Sequence, residues 1–151
     1  MNASYKLGHG DFSPRLLSRQ TATAQPAQEF VAYAYEGQPQ PFNAGDHILI
    51  PTNTKQHPTL RFVAPVLRCG VAILGERTAR KFVPVSPKRF VRLQETSGGG
   101  GKAVQVTVSG AAGELVLVDV WQVQTAVVKT VECRVGESGA AELTLPAGTC
   151  V

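Results

Sequence analysis

Basic side chains are concentrated in the middle of the sequence. Residues 61–102 contain nine Lys or Arg and two acids, a balance of +7, whereas the whole chain carries a formal charge of +4. Such a concentration of charge attracts phosphates, anionic polymers or acidic protein surfaces. We therefore expect a binding surface here, with contacts from Arg77, Arg80, Lys81, Lys88, Arg89 and Arg92.

Aromatic residues lie between these cations, a combination that also occurs in nucleic-acid-binding proteins. Phe62, Phe82 and Phe90 could stack on bases while Arg side chains contact phosphates. The consensus of RNA-recognition sheets, Lys/Arg-Gly-Phe/Tyr-Gly/Ala-Phe-Val, is absent. Alternation with period two also produces a solvated sheet face above buried Phe side chains. We expect an acidic protein surface as the partner, with nucleic-acid binding by residues 61–92 as an alternative.

Residue types that catalyse reactions are present, but their spacing does not assemble a site. His9, His47 and His57 are not at metal-ligand spacing, and no Cys-x-x-Cys occurs. The serines lack the Gly-x-Ser-x-Gly pattern of a hydrolase nucleophile. The glycine run at 98–101 is not followed by the Lys-Ser/Thr pair and helix of a phosphate loop. We expect no enzyme activity, no metal and no cofactor.

The cysteines and the N-terminal residues indicate the compartment. Cys69, Cys133 and Cys150 are an odd number at wide spacing, unlike the disulfide framework of a secreted protein. We expect reduced thiols that pack as small apolar side chains, and a Cys133–Cys150 bridge is left open in case their strands pair. Residues 1–10 lack the apolar stretch of a signal peptide. No apolar run reaches the roughly 18 residues of a membrane span, so we expect a soluble protein made in the cytoplasm.

The elements that carry these side chains are predicted to be short β-strands. Residues 104–108, 131–135 and 141–145 alternate between apolar and polar side chains. Residues 114–123 are apolar on both faces up to Asp119, which is typical of a central strand. Asp119 itself indicates either an exposed strand end or a specific hydrogen bond. We predict an all-β fold of small antiparallel sandwich or barrel modules, with an extended N-terminal arm and no long helix.

Changes in composition divide the chain into four segments. Residues 80–85 and 88–94 are predicted to pair within the basic segment. The glycine-rich stretch is expected to be a flexible hinge, with a long hairpin loop as the other interpretation. The four predicted segments are an extended arm (1–28), a basic β module (29–95), a glycine-rich hinge (96–101) and an antiparallel β-sandwich-like module (102–151).

One local resemblance supports this fold class. Residues 136–148 read Gly-Glu-Ser-Gly-Ala-Ala-Glu-Leu-Thr-Leu-Pro-Ala-Gly. This segment resembles the closing hairpin of immunoglobulin-like and transthyretin-like β-sandwich modules, in which a glycine-rich turn precedes an alternating strand that ends in Leu-Pro-x-Gly. The resemblance implies a β-sandwich. It leaves function open, because such hairpins occur in adhesins, phage tail proteins and carbohydrate-binding modules.

The composition of the whole chain, rich in Ala, Gly, Val, Thr and Gln, is similar to that of small virion structural proteins of tailed phages. These include head-decoration (cement) proteins and tail subunits. The resemblance implies a non-enzymatic structural subunit located in the virion, with no membrane contact. Its expected partners are other copies of itself and a major coat-type protein. The arm is expected to lie on neighbouring subunits through Tyr5, Leu7, Phe12, Leu16 and Leu17.

A carbohydrate-binding or adhesin module is a second alternative. Such a module would display exposed aromatic side chains along a shallow groove, and the candidates in this sequence are Tyr33, Tyr35 and Trp121. The position of these rings, inside or outside the fold, therefore separates this alternative from a structural subunit.

Overall fold

Every element of regular structure in the described part of the chain is a β-strand. The computed structural model describes residues 2–6, 29–34, 37–43, 45–51, 60–77, 83–98 and 101–151. The strands there pair antiparallel throughout, so the predicted all-β antiparallel fold is confirmed for these residues. They include no helix that could cross a membrane. The strands are β1 (Asn2–Lys6), β2 (Glu29–Tyr33), β3 (Gln40–Asn43), β4 (His47–Pro51), β5 (Phe62–Pro65), β6 (Val71–Glu76), β7 (Phe90–Gly98), β8 (Gly101–Ser109), β9 (Leu115–Gln122), β10 (Val127–Arg134), β11 (Ala140–Leu145) and β12 (Thr149–Cys150).

Two of the sheets pack face to face and enclose the main core. The central sheet has the strand order β10–β9–β6, and the C-terminal sheet has the order β12–β11–β8–β7. Successive side chains of a strand point to opposite faces, so the alternating valines of β8 and β9 all enter this core. Val104, Val108 and Val118 are completely buried there. Each side chain of this kind contributes about 1.5–3 kcal/mol to stability through its burial.

β6 is buried on both faces because a third sheet covers the central sheet from the other side. This N-terminal sheet has the order β3–β2–β5. Val71 and Ile73 face the main core, whereas Ala72 and Leu74 join Tyr33 in a second core. The apolar residues of β6 therefore occupy successive positions, as expected for a strand that is covered on both sides.

The predicted strand at 80–85 is wrong in its described part. Residues 83–85 form bends beside β6, and residues 80–82 lie outside the described part of the chain. A Cβ added to Gly75 would lie 2.6 Å from the carbonyl oxygen of Pro84, so the glycine allows this proline to pack directly on β6. Proline has no N–H to donate to a strand ladder. β7 accordingly pairs with β8 and not with this segment.

Strand pairing crosses the boundary that was predicted at 96–101. β7 and β8 are antiparallel neighbours, and their pairing extends to Gly98 opposite Gly101. β6 and β7 come from the predicted 29–95 module, and they share the main core with the strands of 102–151. The main core is therefore built from both predicted modules.

The first residues of the predicted arm form a strand of the fold. β1 pairs with β4 in a separate two-stranded sheet, from Asn2 opposite Pro51 to Lys6 opposite His47. The extended conformation that was predicted for 1–28 is thus present in β1. The rest of the arm, residues 7–28, lies outside the described residues.

A disulfide joins the two sheets of the main sandwich. Cys133 of β10 and Cys150 of β12 are bridged, with their Cα atoms 5.1 Å apart. The expectation that these two thiols are reduced is therefore wrong. The alternative, a Cys133–Cys150 bridge between neighbouring strands, is what the structure contains. The physical reason is that the turn after β11 brings β12 back beside the edge of the central sheet. Cys69 is free, as expected.

Candidate functional site

The structure describes four of the six predicted basic contact residues, and three of these four are exposed. Arg77, Lys88 and Arg92 are exposed on different elements: the end of β6, a turn and β7. The Arg89 side chain is only 16 % exposed and faces carboxylates of its own chain. Two of the six predicted residues lie outside the described part of the chain: Arg80 and Lys81.

The predicted arm contacts fall mostly on residues that the structure does not describe. Tyr5 belongs to β1 and is paired with Ile48 of β4. The other four are outside the described residues: Leu7, Phe12, Leu16 and Leu17.

Arg89 is the centre of a partly buried ion cluster at one end of the sandwich. Its Nη2 and Nη1 atoms donate to the two carboxylate oxygens of Glu114 at 2.6 and 3.1 Å, and Nε and Nη2 donate to Glu76 at 3.2 and 3.3 Å. Nη1 also donates to the carbonyl oxygen of Ser109 at 2.6 Å. The hydrogen bonds that the guanidinium donates to Glu114 raise the pKa of Arg89 above its ordinary value. The guanidinium thus connects β6, the start of β7 and the β8–β9 turn, and is not directed at a partner.

The glycine of the β8–β9 turn makes room for this cluster. A Cβ at Gly110 would lie 2.6 Å from Nη1 of Arg89, closer than carbon and nitrogen atoms approach without a bond. Glu114 also accepts a hydrogen bond from the backbone N–H of Ala111 at 2.8 Å, which orients the carboxylate. These local contacts indicate a structural role for the cluster.

Asp119 takes part in a second network of side chains. Of the two interpretations that the sequence offered for it, an exposed strand end or a specific hydrogen bond, the structure shows the hydrogen bond. Its Oδ1 accepts a hydrogen bond from the hydroxyl of Thr130 at 2.6 Å, and its Oδ2 lies 3.7 Å from Nε of Arg77. Nη1 of Arg77 donates to the same Thr130 hydroxyl oxygen at 2.8 Å. The three side chains cross from the end of β6 over β9 to β10, so they connect all three strands of the central sheet.

The aromatic side chains on which the two alternatives depend are inside the fold. Phe62 and Phe90 are 9 % and 4 % exposed, so neither presents a ring for base stacking. Trp121 and Tyr33 are equally buried in the second core, where the Tyr33 hydroxyl donates to the carbonyl oxygen of Leu74 at 2.6 Å. The exposed aromatic groove that the carbohydrate-binding alternative requires is therefore not present at Trp121 and Tyr33. Two further candidates lie outside the described residues: Tyr35 and Phe82.

The outer face of the C-terminal sheet is a polar surface. Arg92 of β7 is paired with Thr107 of β8, which is paired with Glu142 of β11, so the three residues form one row across the sheet. The Thr107 hydroxyl donates to Oε1 of Glu142 at 2.7 Å. Among the described residues, no carboxylate forms an ion pair with Arg92.

A second row lies beside the first and completes this face. Gln94 is paired with Gln105, and Gln105 is paired with Thr144. A shallow groove of about 120 Å³ lies between Arg92 and Glu142, and both glutamines contribute to its lining. We call these two rows the polar sheet face. Sequence reasoning singled out only Arg92 of this group, because alternation identifies outward residues but not their neighbours on other strands.

The described residues contain no group of His, Cys, Asp and Glu side chains that could hold a metal ion. Cys69 lies in the turn before β6 and packs against the main core. Its partial burial raises the pKa of the thiol, which keeps it protonated at neutral pH and makes it a poor nucleophile. The carboxylates of Glu76, Glu114 and Asp119 thus form links within the fold.

No protein-family model matches this sequence, and no similar curated protein or solved structure was found. Function is therefore inferred from the residues and their geometry.

Proposed function

We propose that this chain is a non-enzymatic structural subunit of a macromolecular assembly, namely a phage capsid decoration (cement) protein or another virion protein. One observation carries the proposal: the charged side chains that could have served chemistry are bonded to each other between strands and turns. Arg89 is held by Glu76 and Glu114, and Arg77 is held near Asp119 and Thr130. Partly buried networks of this kind stiffen a domain, and they leave its outer faces and its arm for contacts with neighbours.

The disulfide supports a position on the outside of a particle. Disulfides persist in oxidising surroundings, which include the surfaces of virions and of cells, and they are rare in the cytosol. Cys133–Cys150 links the two sheets of the main sandwich. A subunit made in the host cytoplasm can form this bond after the particle leaves the cell.

The proposed partners are other copies of the chain and an acidic surface of a coat-type protein. Three of the predicted contact residues are described and exposed: Lys88 and Arg77, proposed for the coat-type protein, and Arg92, proposed for another copy of the chain. Arg80 and Lys81 stay in the proposed set. Arg89 is removed from it because its guanidinium is already bonded to two carboxylates.

The described residues give little support to the two rival functions, nucleic-acid binding and carbohydrate binding. A nucleic-acid sheet needs exposed rings beside its cations, and Phe62 and Phe90 are buried. A lectin-like groove needs exposed aromatic side chains, and Trp121 and Tyr33 are buried. We therefore propose neither nucleic-acid binding nor carbohydrate binding as a second function.

Deletion of residues 1–28 tests the role of the arm. Particles isolated from cells that naturally produce this protein are mixed with the purified variant and sedimented. We expect the truncated chain to stay in the supernatant while the full chain sediments, because the arm is the proposed contact with neighbouring subunits. Circular dichroism and urea unfolding check that the truncated chain still folds.

A matched variant separates loss of contact from loss of β1. Leu16→Ser combined with Leu17→Ser keeps β1 in place and removes two of the proposed apolar contacts. This variant is also expected to remain in the supernatant. Normal sedimentation of both variants would show that the arm does not bind the particle and would contradict the proposed mode of assembly.

A further inference from the structure

The polar sheet face carries one positive and one negative side chain at opposite ends of the same row. Arg92 and Glu142 lie on β7 and β11, on either side of Thr107. We propose that this face binds the same face of a second copy of the chain across a two-fold axis. Arg92 of each copy then lies beside Glu142 of the other. This inference rests on the proposed function, because it identifies one contact between copies of an assembly subunit.

The row has the order that such a dimer requires. A two-fold axis that runs between the faces, parallel to β8 and directly over Thr107, reverses the row of the second copy. Each Arg92 is then placed over Glu142 of the other copy, and Thr107 faces its own equivalent. Neighbouring strands are about 4.8 Å apart, so the two charges of one row are separated by about 10 Å and do not neutralise each other within the chain.

The second row is compatible with the same axis. The operation places Gln94 over Thr144 of the other copy, and Gln105 over its own equivalent. Amide groups both donate and accept hydrogen bonds, and so does a hydroxyl, so each of these contacts can be satisfied. In an isologous contact each pair away from the axis occurs twice, so the Arg92–Glu142 and Gln94–Thr144 contacts are both doubled.

The groove gives the guanidinium of the second copy a place to bind. It is about 120 Å³ in volume and lies between Arg92 and Glu142. The Thr107 hydroxyl occupies only Oε1 of Glu142, at 2.7 Å. The Oε2 atom is not used in that hydrogen bond and is the acceptor proposed for the incoming Arg92.

Charge favours a second copy over other occupants of this face. Arg92 and Glu142 are the two charged residues in these rows, so the rows have no net charge to attract a polyanion. The rows also contain no aromatic side chain to stack on a sugar ring. A copy of the same face supplies an equal and opposite charge at each end.

Charge reversal and its rescue test the dimer in the full-length protein. Sedimentation velocity is measured over a range of protein concentration that extends to about 200 µM, at low salt. We expect a monomer–dimer equilibrium for the unchanged chain. Arg92→Glu or Glu142→Arg alone should weaken dimerisation by about 10-fold or more, because each change places like charges opposite each other.

The double variant carries both changes and exchanges the two charges. It should recover the original dissociation constant to within about threefold, since the pair is restored with reversed sign. Lys129→Glu is the matched control for Arg92→Glu. It makes the same change of charge at an exposed position of β10, outside the polar sheet face. It should leave dimerisation unchanged. Urea unfolding of every variant checks that the fold is intact.

Three results would overturn the inference. They are a monomer at every concentration, single variants that dimerise normally, and a double variant as weak as the single ones. A dimer that an oligonucleotide dissociates, with this effect lost in Arg92→Glu, would assign the face to a polyanion and overturn it as well. A monomer that still sediments with particles would reject only this contact, whereas a dimer that ignores particles would reject only the proposed function.

Discussion

Arg89 lies where three chain segments meet, and its five hydrogen bonds connect all of them. The guanidinium bonds to Glu76 at the end of β6, to Glu114 before β9 and to the carbonyl oxygen of Ser109. The Glu76 side chain is only 8 % exposed, so the adjacent guanidinium offsets part of the cost of burying its carboxylate. A residue that the sequence assigned to a partner is thus needed by the fold itself.

Arg89→Ala should therefore lower the free energy of unfolding by about 2–4 kcal/mol. Removal of the cation leaves two carboxylates close together and one of them almost buried, which costs far more than the loss of a surface ion pair. Urea unfolding followed by tryptophan fluorescence measures the change. Arg89→Lys should recover only part of the loss, because an ammonium group cannot form two bidentate pairs.

Lys88→Ala is the neighbouring control. Lys88 is exposed and forms no ion pair with a described residue, so its removal should change stability by less than about 0.5 kcal/mol. If Arg89→Ala has an equally small effect, the ion cluster does not stabilise the fold.

Among the elements, β10 and β12 are held together by a covalent link as well as by packing. β12 is only two residues long and lies at the edge of the C-terminal sheet. Cys133 and Cys150 are separated by 17 positions, and this link keeps the end of the chain against the sandwich. A disulfide stabilises chiefly by limiting the conformations of the unfolded chain.

Reduction of this disulfide should lower the free energy of unfolding by about 2–4 kcal/mol. Thiol titration in urea should find one reactive cysteine per chain before reduction, because only Cys69 is free, and all three afterwards. The urea midpoint with and without reductant then measures the stabilisation.

Cys69→Ala is the control for the thiol count. It should abolish the signal before reduction and leave the effect of reductant on the urea midpoint unchanged. Three reactive thiols in the unreduced protein would show that the bridge does not form.

For the molecule as a whole, fewer of the basic residues in 61–102 are free to bind an anionic partner than the sequence suggests. Three of the arginines in 61–102 form ion pairs with acids: Arg68 with Glu95, Arg77 with Asp119, and Arg89 with Glu76 and Glu114. Two of those acids, Asp119 and Glu114, belong to the acidic C-terminal part of the chain, so tertiary structure supplies counter-charges from outside the stretch. The protein should consequently be a weak binder of polyanions.

A titration with duplex and single-stranded oligonucleotides checks this expectation. Dissociation constants should be no lower than about 10 µM at 200 mM salt, the range of non-specific binding. Between 50 and 200 mM salt, the log–log slope should be no steeper than about −2. Six phosphate contacts would instead give a slope of about −5, and submicromolar binding with that slope would contradict the proposed protein partner.

Local pattern was sufficient to predict the class of the fold. The alternation at 104–108, 131–135 and 141–145 predicted strands, and β8, β10 and β11 occupy these positions. Residues 114–123 predicted a central strand, and β9 lies between β6 and β10. These predictions succeed because a period of two follows from strand geometry alone, without knowledge of any neighbour. The strand predicted at 80–85 does not form in its described part, where Pro84 packs on Gly75 of β6. The local pattern of residues 80–85 does not contain this contact with another element.

The neighbours of each strand were decided only by the tertiary structure. Alternation shows which residues share a face of one strand, but it does not show which other strand lies beside them or in what register. For this reason the sequence could not predict the Cys133–Cys150 bridge, the bonds from Arg89 to Glu114, or the burial of Trp121. The row that joins Arg92, Thr107 and Glu142 depends on two pairings between strands, one of which is far apart in sequence. Residue types and period were local properties, whereas these contacts required the long-range register of the sheets.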